Sequence, residues 1–201
     1  MSGPVARPGD GAGGVVGPIP AGRDPVAYDR ARRRVLWSLP TGLYLLGSRG
    51  AGGGPVRANL MTVSWVTQVA KAPKLVAVSV ENGSLSAALI QESGVFALSV
   101  LSRADRAVVR RFVKPVSPGE VSRDGGGGLV ALRGEPVVPA PSGAPVLARA
   151  LGWLDCARRD EWDLGSHALF VGEVLDAGGP EPPGEHGGVL RMEDTKMSYG
   201  G

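Results

Sequence analysis

The sequence predicts an antiparallel β-barrel with a few helices outside it. About six short apolar segments have the composition of strands, and turns rich in glycine and proline separate them. Helical segments do not alternate regularly with these strands, which argues against the βαβ order of a parallel sheet. The chain has 201 residues, of which 43% are hydrophobic, so it can bury a sizeable core in one domain.

The composition excludes several classes of protein. Cys156 is the only cysteine, so no internal disulfide framework can form, and a single cysteine fits a reducing compartment. No apolar run is long enough to cross a bilayer, and the N-terminal stretch MSGPVARPGD lacks the apolar core of a secretory signal. The net charge of +3 is too small to indicate nucleic-acid binding, and the arginines are dispersed among acidic residues. We expect a cytoplasmic protein that binds neither membrane nor nucleic acid.

Residues 1–25 are rich in glycine and proline and carry almost no large apolar side chains. Such a segment cannot bury enough surface to offset its ordering entropy, so we predict a disordered tail. Asp24-Pro25 has the composition of a helix start, and residues 26–38 are predicted to form a helix that ends before Pro40. The predicted domain therefore spans residues 26–201.

The next segments read as strands. Residues 43–48 form a short apolar run closed by a glycine-rich turn, and residues 57–66 return as the second strand of a hairpin. Residues 57–70 have the character of one continuous strand. Ala72-Pro73 then breaks the chain, and residues 74–80 are predicted as a further strand.

Asn82-Gly83 is predicted as a turn that leads into a second helix. Ser84 or Ser86 can cap this helix, which runs to about residue 93 and ends at Gly94. Its apolar residues at spacings of three and four predict the face that packs against the barrel, formed by Leu85, Ala88 and Leu89.

The rest of the chain is predicted to be mostly strand. Residues 95–100 form a strand, and Ser102 caps a helix over residues 103–113. The many prolines and glycines of residues 114–145 predict irregular structure. The remaining strands are predicted at 151–164, at 167–178 beyond the tight turn at Gly165-Ser166, and as a short strand that begins at residue 189.

The segment 57–70 is unusually polar for a core strand. Alternate side chains of a strand point to opposite faces. One face carries the bulky Met61, Val63, Trp65 and Val69, and the other carries the small or polar Ala58, Thr62, Ser64 and Gln68. Small residues allow a flat ligand to approach the backbone, and the helix start at 82–86 offers N–H groups for a phosphate. The pattern indicates a site for a planar heterocycle with a phosphate, or else a half-exposed strand whose hydroxyls face water.

Five segments of the chain, in order, resemble the flavin reductase family, the FMN-binding split barrels. These segments are LPTGLYLL (39–46), NLMTVSWVTQVAKAPKLVAVSV (59–80), SLSAALIQESGVFALSVL (84–101), GSHALFVGEV (165–174) and DTKMSYGG (194–201). The resemblance covers residues 39–201. It implies a mainly β fold, a six-stranded antiparallel Greek-key split barrel with flanking helices, and a homodimer.

The resemblance also implies a cofactor and its contacts. FMN, or alternatively FAD, would lie near the subunit interface, with NADH or NADPH as co-substrate. Asn59, Met61, Thr62, Val63 and Ser64 would contact the isoalloxazine, Ser79, Val80 and Glu81 the ribityl chain, and Asn82, Ser84 and Ser86 the phosphate. Tyr199 could close over the flavin or anchor the tail. Many relatives carry Asp or Asn where this chain has Ser166, and a basic residue or Thr within 82–86.

His167 is the one candidate catalytic side chain. A histidine that opens a strand is commonly a structural group, and the resemblance implies a position near the nicotinamide or the flavin. His186 lies in a loop and is given no role. The histidines and Cys156 lack the spacing of metal ligands, so no metal site is expected, and Cys156 is expected to be a packed residue.

The resemblance implies hydride transfer from NAD(P)H to flavin, and the cofactor supplies that chemistry. No strong acid or base is then required, which fits a sequence without an obvious catalytic dyad. Reduced flavin would then serve a partner monooxygenase or another acceptor such as ferric iron or oxygen. The alternative is a flavin-binding protein or electron carrier with little reductase activity.

Overall fold

The computed structural model describes residues 17–52, 57–180, 188–195 and 197. The chain divides into two units, Met1–Pro40 with Met197–Gly201, and Thr41–Lys196. Residues 1–16 of the predicted tail lie outside the described residues, and the domain 26–201 stays a prediction. No helix among the described residues is long and apolar enough to cross a membrane.

Helix α1 is the regular element of the first unit and spans Pro25–Trp37. It begins as predicted, since the Asp24 side chain accepts a hydrogen bond of 2.8 Å from the Ala27 amide and Pro25 occupies the first turn. None of its side chains is buried. The helix predicted over 26–38 is therefore confirmed as a local structure.

A seven-stranded antiparallel sheet dominates the second unit, in the order β2-β1-β5-β10-β11-β4-β3. Its strands in chain order are β1 Tyr44–Arg49, β2 Ala58–Val63, β3 Val66–Lys71, β4 Lys74–Glu81, β5 Val95–Val100, β10 Gly152–Asp163 and β11 His167–Gly178. The predicted hairpin of β1 and β2 is confirmed, with Tyr44 opposite Val63 and Arg49 opposite Ala58. The mainly β prediction is confirmed as well.

The sheet curls into a barrel because its two edge strands follow each other in sequence. β2 ends at Val63 and β3 begins at Val66, so Ser64 and Trp65 alone connect opposite edges of the sheet. The prediction of one continuous strand over 57–70 is therefore wrong. The same break raises the count from the expected six strands to seven.

The barrel interior holds the main hydrophobic core. Its buried side chains include Phe96, Phe170, Leu98, Val78 and Val80, which belong to one cluster. Gly172 lies close to the Phe96 ring, since a Cβ added there would stand 2.4 Å from it. A larger residue at 172 would therefore displace the ring.

Helix α2 spans Leu85–Ser93 and packs on the barrel. Ser84 caps it, and Gly94 ends it with a positive φ of 71°, both as predicted. The predicted face is wrong in part. Leu89 is buried, but Leu85 is half-buried and Ala88 exposed, because the buried face turns toward Ser86, Ala87 and Ile90.

Three predictions outside the barrel are wrong. Residues 103–113 form two short 3₁₀ turns instead of one helix, although Ser102 does cap the first, accepting from the Ala104 amide. Residues 114–145 are not irregular, because a second antiparallel sheet is formed by β6 Val121–Arg123, β7 Leu129–Leu132, β8 Glu135–Pro139 and β9 Pro145–Leu147. The C-terminal segment forms isolated bridges at Val189 and Arg191 rather than a strand.

Candidate functional site

Four parts of the second unit meet at one end of the barrel. They are the β2–β3 connection, the end of β4, the start of β11 and the N-terminus of α2. His167 pairs with Glu81 in the β4–β11 ladder, and the Asn82 amide donates to the Ser166 carbonyl at 3.0 Å. The Ser79 amide donates to the Trp65 carbonyl, also at 3.0 Å. Ser79, Glu81, Asn82 and His167, which the sequence assigned to one flavin site, therefore lie on neighbouring segments at this end of the barrel.

Trp65 and His167 form the aromatic part of this site. Their ring centroids lie 5.1 Å apart and the rings are inclined by 58°. The Ser166 hydroxyl lies 2.9 Å from Nδ1 of His167. When that hydroxyl donates to Nδ1, the ring hydrogen resides on Nε2, which can then donate to a ligand.

The hydroxyl of Ser64 is the clearest sign of a ligand. Ser64 is only 4% exposed, and among the described residues its Oγ has no hydrogen-bond partner. A buried hydroxyl without a partner costs stability, so its retention needs a reason. A polar edge of a ligand that reaches the β2–β3 connection would supply that partner.

The N-terminus of α2 provides a second polar feature of the same site. Gly83 has a positive φ of 75°, and Ser84 Oγ accepts from the Ala87 amide at 3.3 Å. The first turn of a helix leaves N–H groups without intrahelical partners and carries partial positive charge. These groups suit an anion such as a phosphate.

Asn82, predicted to hold the phosphate, donates to other groups in this structure. Its Nδ2 donates to Asp163 Oδ1 at 2.9 Å and to the Gly165 carbonyl at 2.7 Å. Both amide hydrogens are thus used, and the remaining side-chain oxygen only accepts. Asn82 instead ties the β10–β11 turn to the segment that begins α2.

Asn59 and Ser86 face the interior. Asn59 Nδ2 donates to Ser86 Oγ at 2.9 Å, Ser48 Oγ donates to the same atom at 3.3 Å, and the Val116 amide donates to Asn59 Oδ1 at 2.9 Å. All three side chains are buried. Their polar atoms therefore hold α2 against β1 and β2, and the predicted direct contacts of Asn59 and Ser86 with flavin do not fit this placement.

The other residues predicted to contact the ring belong partly to the core. Val63 is buried, Met61 packs against the core cluster, and Thr62 Oγ1 donates to the Val109 carbonyl at 2.6 Å. The predicted ribityl contacts lie on β4, where Val80 is buried, Ser79 half-buried and Glu81 exposed. Tyr199 and His186 lie outside the described residues.

Sequence analysis missed two partners of this site. Trp65 was assigned to the bulky face of a strand, and Asp163 was given no role. Asp163 could have been predicted from the tight turn at Gly165-Ser166. This turn joins the end of β10, at Asp163, to the start of β11, at His167. Asp163 Oδ1 also accepts from the Gly165 amide at 2.8 Å.

Cys156 is a packed residue of the barrel core, as expected. Cys156 is buried in β10, and burial, followed by the charge of Asp155, raises the pKa of its thiol to about 12. A thiol with that pKa is a poor nucleophile at neutral pH. Within the described ranges, no group of His, Cys, Asp and Glu side chains has the arrangement of a metal site.

The chain is similar to known proteins over most of its length. Residues 36–195 match the family described as flavin reductase like domain. A NADPH-flavin oxidoreductase of Streptomyces viridifaciens is 36% identical over 152 residues, 75% of this chain and 72% of that protein. The reductase subunit of a stachydrine N-demethylase from Rhizobium meliloti is 26% identical over 72% of this chain, which spans only 56% of that subunit.

Solved structures share the fold. An NADH:FAD oxidoreductase from Streptomyces globisporus C-1027 superposes with a TM-score of 0.61 at 28% identity, covering 80% of this chain and 87% of that one. The expectation of a split barrel is thereby confirmed.

Proposed function

The chain belongs to the flavin reductase-like family, and from that membership we propose that it is an NAD(P)H:flavin oxidoreductase. It binds FMN or FAD and reduces it with NADH or NADPH. The single observation of this structure that carries the site is the buried hydroxyl of Ser64, which has no partner among the described residues. It lies in the β2–β3 connection, which the Ser79–Trp65 hydrogen bond links to the strand that leads into α2. The Ser64 hydroxyl and the N-terminus of α2 fit a flat polar ring with an anionic tail.

We assign the flavin contacts to the polar groups of the site. Ser64 Oγ bonds the polar edge of the ring, and the backbone from Thr62 to Trp65 lies beside it. Ser79 and Glu81 flank the ribityl chain. The α2 N–H groups and Ser84 hold the phosphate. Asn82, Asn59 and Ser86 act indirectly, because their side-chain groups fix the elements that carry these contacts.

Bound flavin supplies the redox chemistry, since its ring accepts a hydride from a reduced nicotinamide. The chain itself positions the reactants and excludes water. Trp65, at 38% exposure, offers a flat apolar surface, and the His167 ring lies beside it at the place proposed for the nicotinamide. No side chain has to act as a strong acid or base, which agrees with a site without such a pair.

Two further proposals concern assembly. We place a second copy of the chain at the tip of the β10–β11 hairpin, where Trp162 is 52% exposed and Leu164 is 60% exposed beside the turn that Asn82 holds. A separate oxygenase would consume the reduced flavin. A relative from Rhizobium meliloti is named as the reductase subunit of a stachydrine N-demethylase. Molar mass by light scattering tests the homodimer.

The activity is tested by mixing purified protein with FMN or FAD and with NADH or NADPH, and following nicotinamide absorbance. We expect rapid oxidation that requires both flavin and protein. A protein that binds flavin tightly but leaves both nucleotides unoxidised would contradict the reductase and support an electron carrier. Comparing the four combinations gives the nucleotide and flavin preference in the same experiment.

A further inference from the structure

A mostly apolar cavity of about 390 Å³ lies inside the barrel. Leu98, Leu154 and Val174 contribute to its apolar wall, and Gln68 and Lys74 lie at its polar rim. Its volume falls within the range of about 300–1,000 Å³ that is typical of small-molecule sites, and such sites combine an apolar lining with few polar groups. The cavity therefore has the size and lining of a binding site.

The lysine end of the cavity lies at the other end of β4 from the proposed phosphate site, whereas Val66 and Thr67, which directly follow the β2–β3 connection, also line the cavity. Lys74, Leu75 and Val76 at the start of β4 line it, whereas Glu81 at the end of β4 pairs with His167. The eight residues of β4 span about 23 Å at roughly 3.3 Å per residue. A ligand held at Lys74 would therefore be distinct from a phosphate held at α2.

Lys74, at the rim, has a second lysine opposite it on the neighbouring strand. Lys71 and Lys74 are direct partners in the β3–β4 ladder, and like charges placed opposite each other on adjacent strands are unfavourable. Neither lysine forms a salt bridge within the part of the chain that the structure describes. Glu173, which pairs with Leu75, is instead bound by Arg159. An anion at this rim would relieve the repulsion.

We propose that this cavity binds a small carboxylate with an apolar body. The body fills the wall formed by Leu98, Leu154 and Val174, and the carboxylate lies at the rim beside the Lys74 ammonium. Apolar burial supplies most of the affinity, and the lysine selects the charged form. This site goes beyond the proposed reductase activity and does not depend on it.

Calorimetric titration of the full-length, flavin-free protein with octanoate tests the proposal, with 1-octanol as the neutral control. We expect saturable binding of octanoate and clearly weaker binding of the alcohol. Lys74→Ala is expected to weaken octanoate about fivefold, a size typical of an exposed charge contact. Lys114→Ala, at an exposed lysine outside the cavity lining, is expected to change nothing. Equal binding of acid and alcohol would overturn the proposal.

The location is tested by filling the cavity. Ala177→Phe and, as a second variant, Leu154→Trp should abolish octanoate binding while the circular dichroism spectrum and FMN affinity stay unchanged. Two positions are used because the substitution at the half-buried Leu154 carries the greater risk of preventing folding, whereas Ala177 is exposed. Undiminished binding in a folded variant, or displacement of octanoate by FMN, would overturn the placement. Failure of the reductase assay has no bearing on this result.

Discussion

The ring of His167 lies 5.1 Å from the ring of Trp65, at an inclination of 58°. Trp65 belongs to the two-residue connection that joins opposite edges of the sheet, and His167 is the first residue of β11. Closure of the barrel therefore brings together an aromatic surface and a histidine that are about 100 residues apart in sequence. We propose that the nicotinamide binds at this pair of rings.

Replacing His167 tests that placement. His167→Ala is expected to lower kcat/KM for NAD(P)H about tenfold, or ~1.4 kcal/mol, while FMN affinity stays within about twofold of the unaltered protein. Ser166→Ala removes the hydroxyl beside Nδ1 and keeps the ring, so it should have a smaller effect. Steady-state kinetics and a fluorescence titration measure the two quantities. Equal losses of flavin affinity and turnover would instead make His167 a flavin ligand.

Ser64→Ala should lower the affinity for FMN without lowering the unfolding free energy of the flavin-free protein. The mutation removes a buried hydroxyl that has no partner in the described protein, so the flavin-free variant is expected to be as stable as the original or more so, by up to ~1 kcal/mol. FMN affinity should fall by about fivefold to tenfold, the worth of one hydrogen bond. Urea denaturation and flavin fluorescence provide the measurements.

Ser99→Ala is the matched control for that experiment. Ser99 is also buried, but its Oγ accepts from the Leu147 amide at 3.0 Å. Its removal leaves a buried N–H unpaired and should cost roughly 1–3 kcal/mol of unfolding free energy, with FMN affinity unchanged. If both alanine variants lose the same stability, Ser64 has an internal partner and the flavin assignment fails.

Asn82→Ala distinguishes a positioning residue from a phosphate ligand. Since the Asn82 side chain donates to Asp163 and to the Gly165 carbonyl, its loss should loosen the β10–β11 turn. FMN and riboflavin should then lose affinity by the same factor, because riboflavin differs by lacking the phosphate. Titrations with both flavins measure this. A loss confined to FMN would restore the phosphate role predicted from sequence.

The buried thiol of Cys156 should make the free energy of unfolding depend on pH in the alkaline range. Burial raises the pKa of its thiol to about 12, above the ordinary value of 9.0. In the unfolded chain the thiol loses its proton first, so the native state is favoured fully below pH 9 and loses this advantage as the pH rises toward 12. Cys156→Ala should remove that part of the decline in urea denaturation between these limits. An identical decline in both proteins would contradict the assignment.

Local sequence signals predicted the local structure well. The Asp24 and Ser84 caps, the Gly94 stop and the β1–β2 hairpin depend on neighbouring residues only, and each is present. The break at Ser64-Trp65 could not be predicted in this way, because alternation of side chains continues through it. Only long-range closure of the sheet requires the strand to end there.

The candidate site shows the same limit. The polar run 59–64 and the helix start at 82–86 both contribute residues to the candidate site, but residue type did not reveal which way each side chain points. Asn59 and Ser86 bond each other in the interior, and Ser64 keeps an unpartnered hydroxyl. The difference depends on which strand neighbours each residue, which only the fold determines.

A crystal structure of the protein with FMN would show directly where the flavin binds. We expect the ring edge within hydrogen-bond distance of Ser64 Oγ and the phosphate at the N–H groups of α2. FMN bound elsewhere, or at this place with the Ser64 hydroxyl still without a partner, would contradict it.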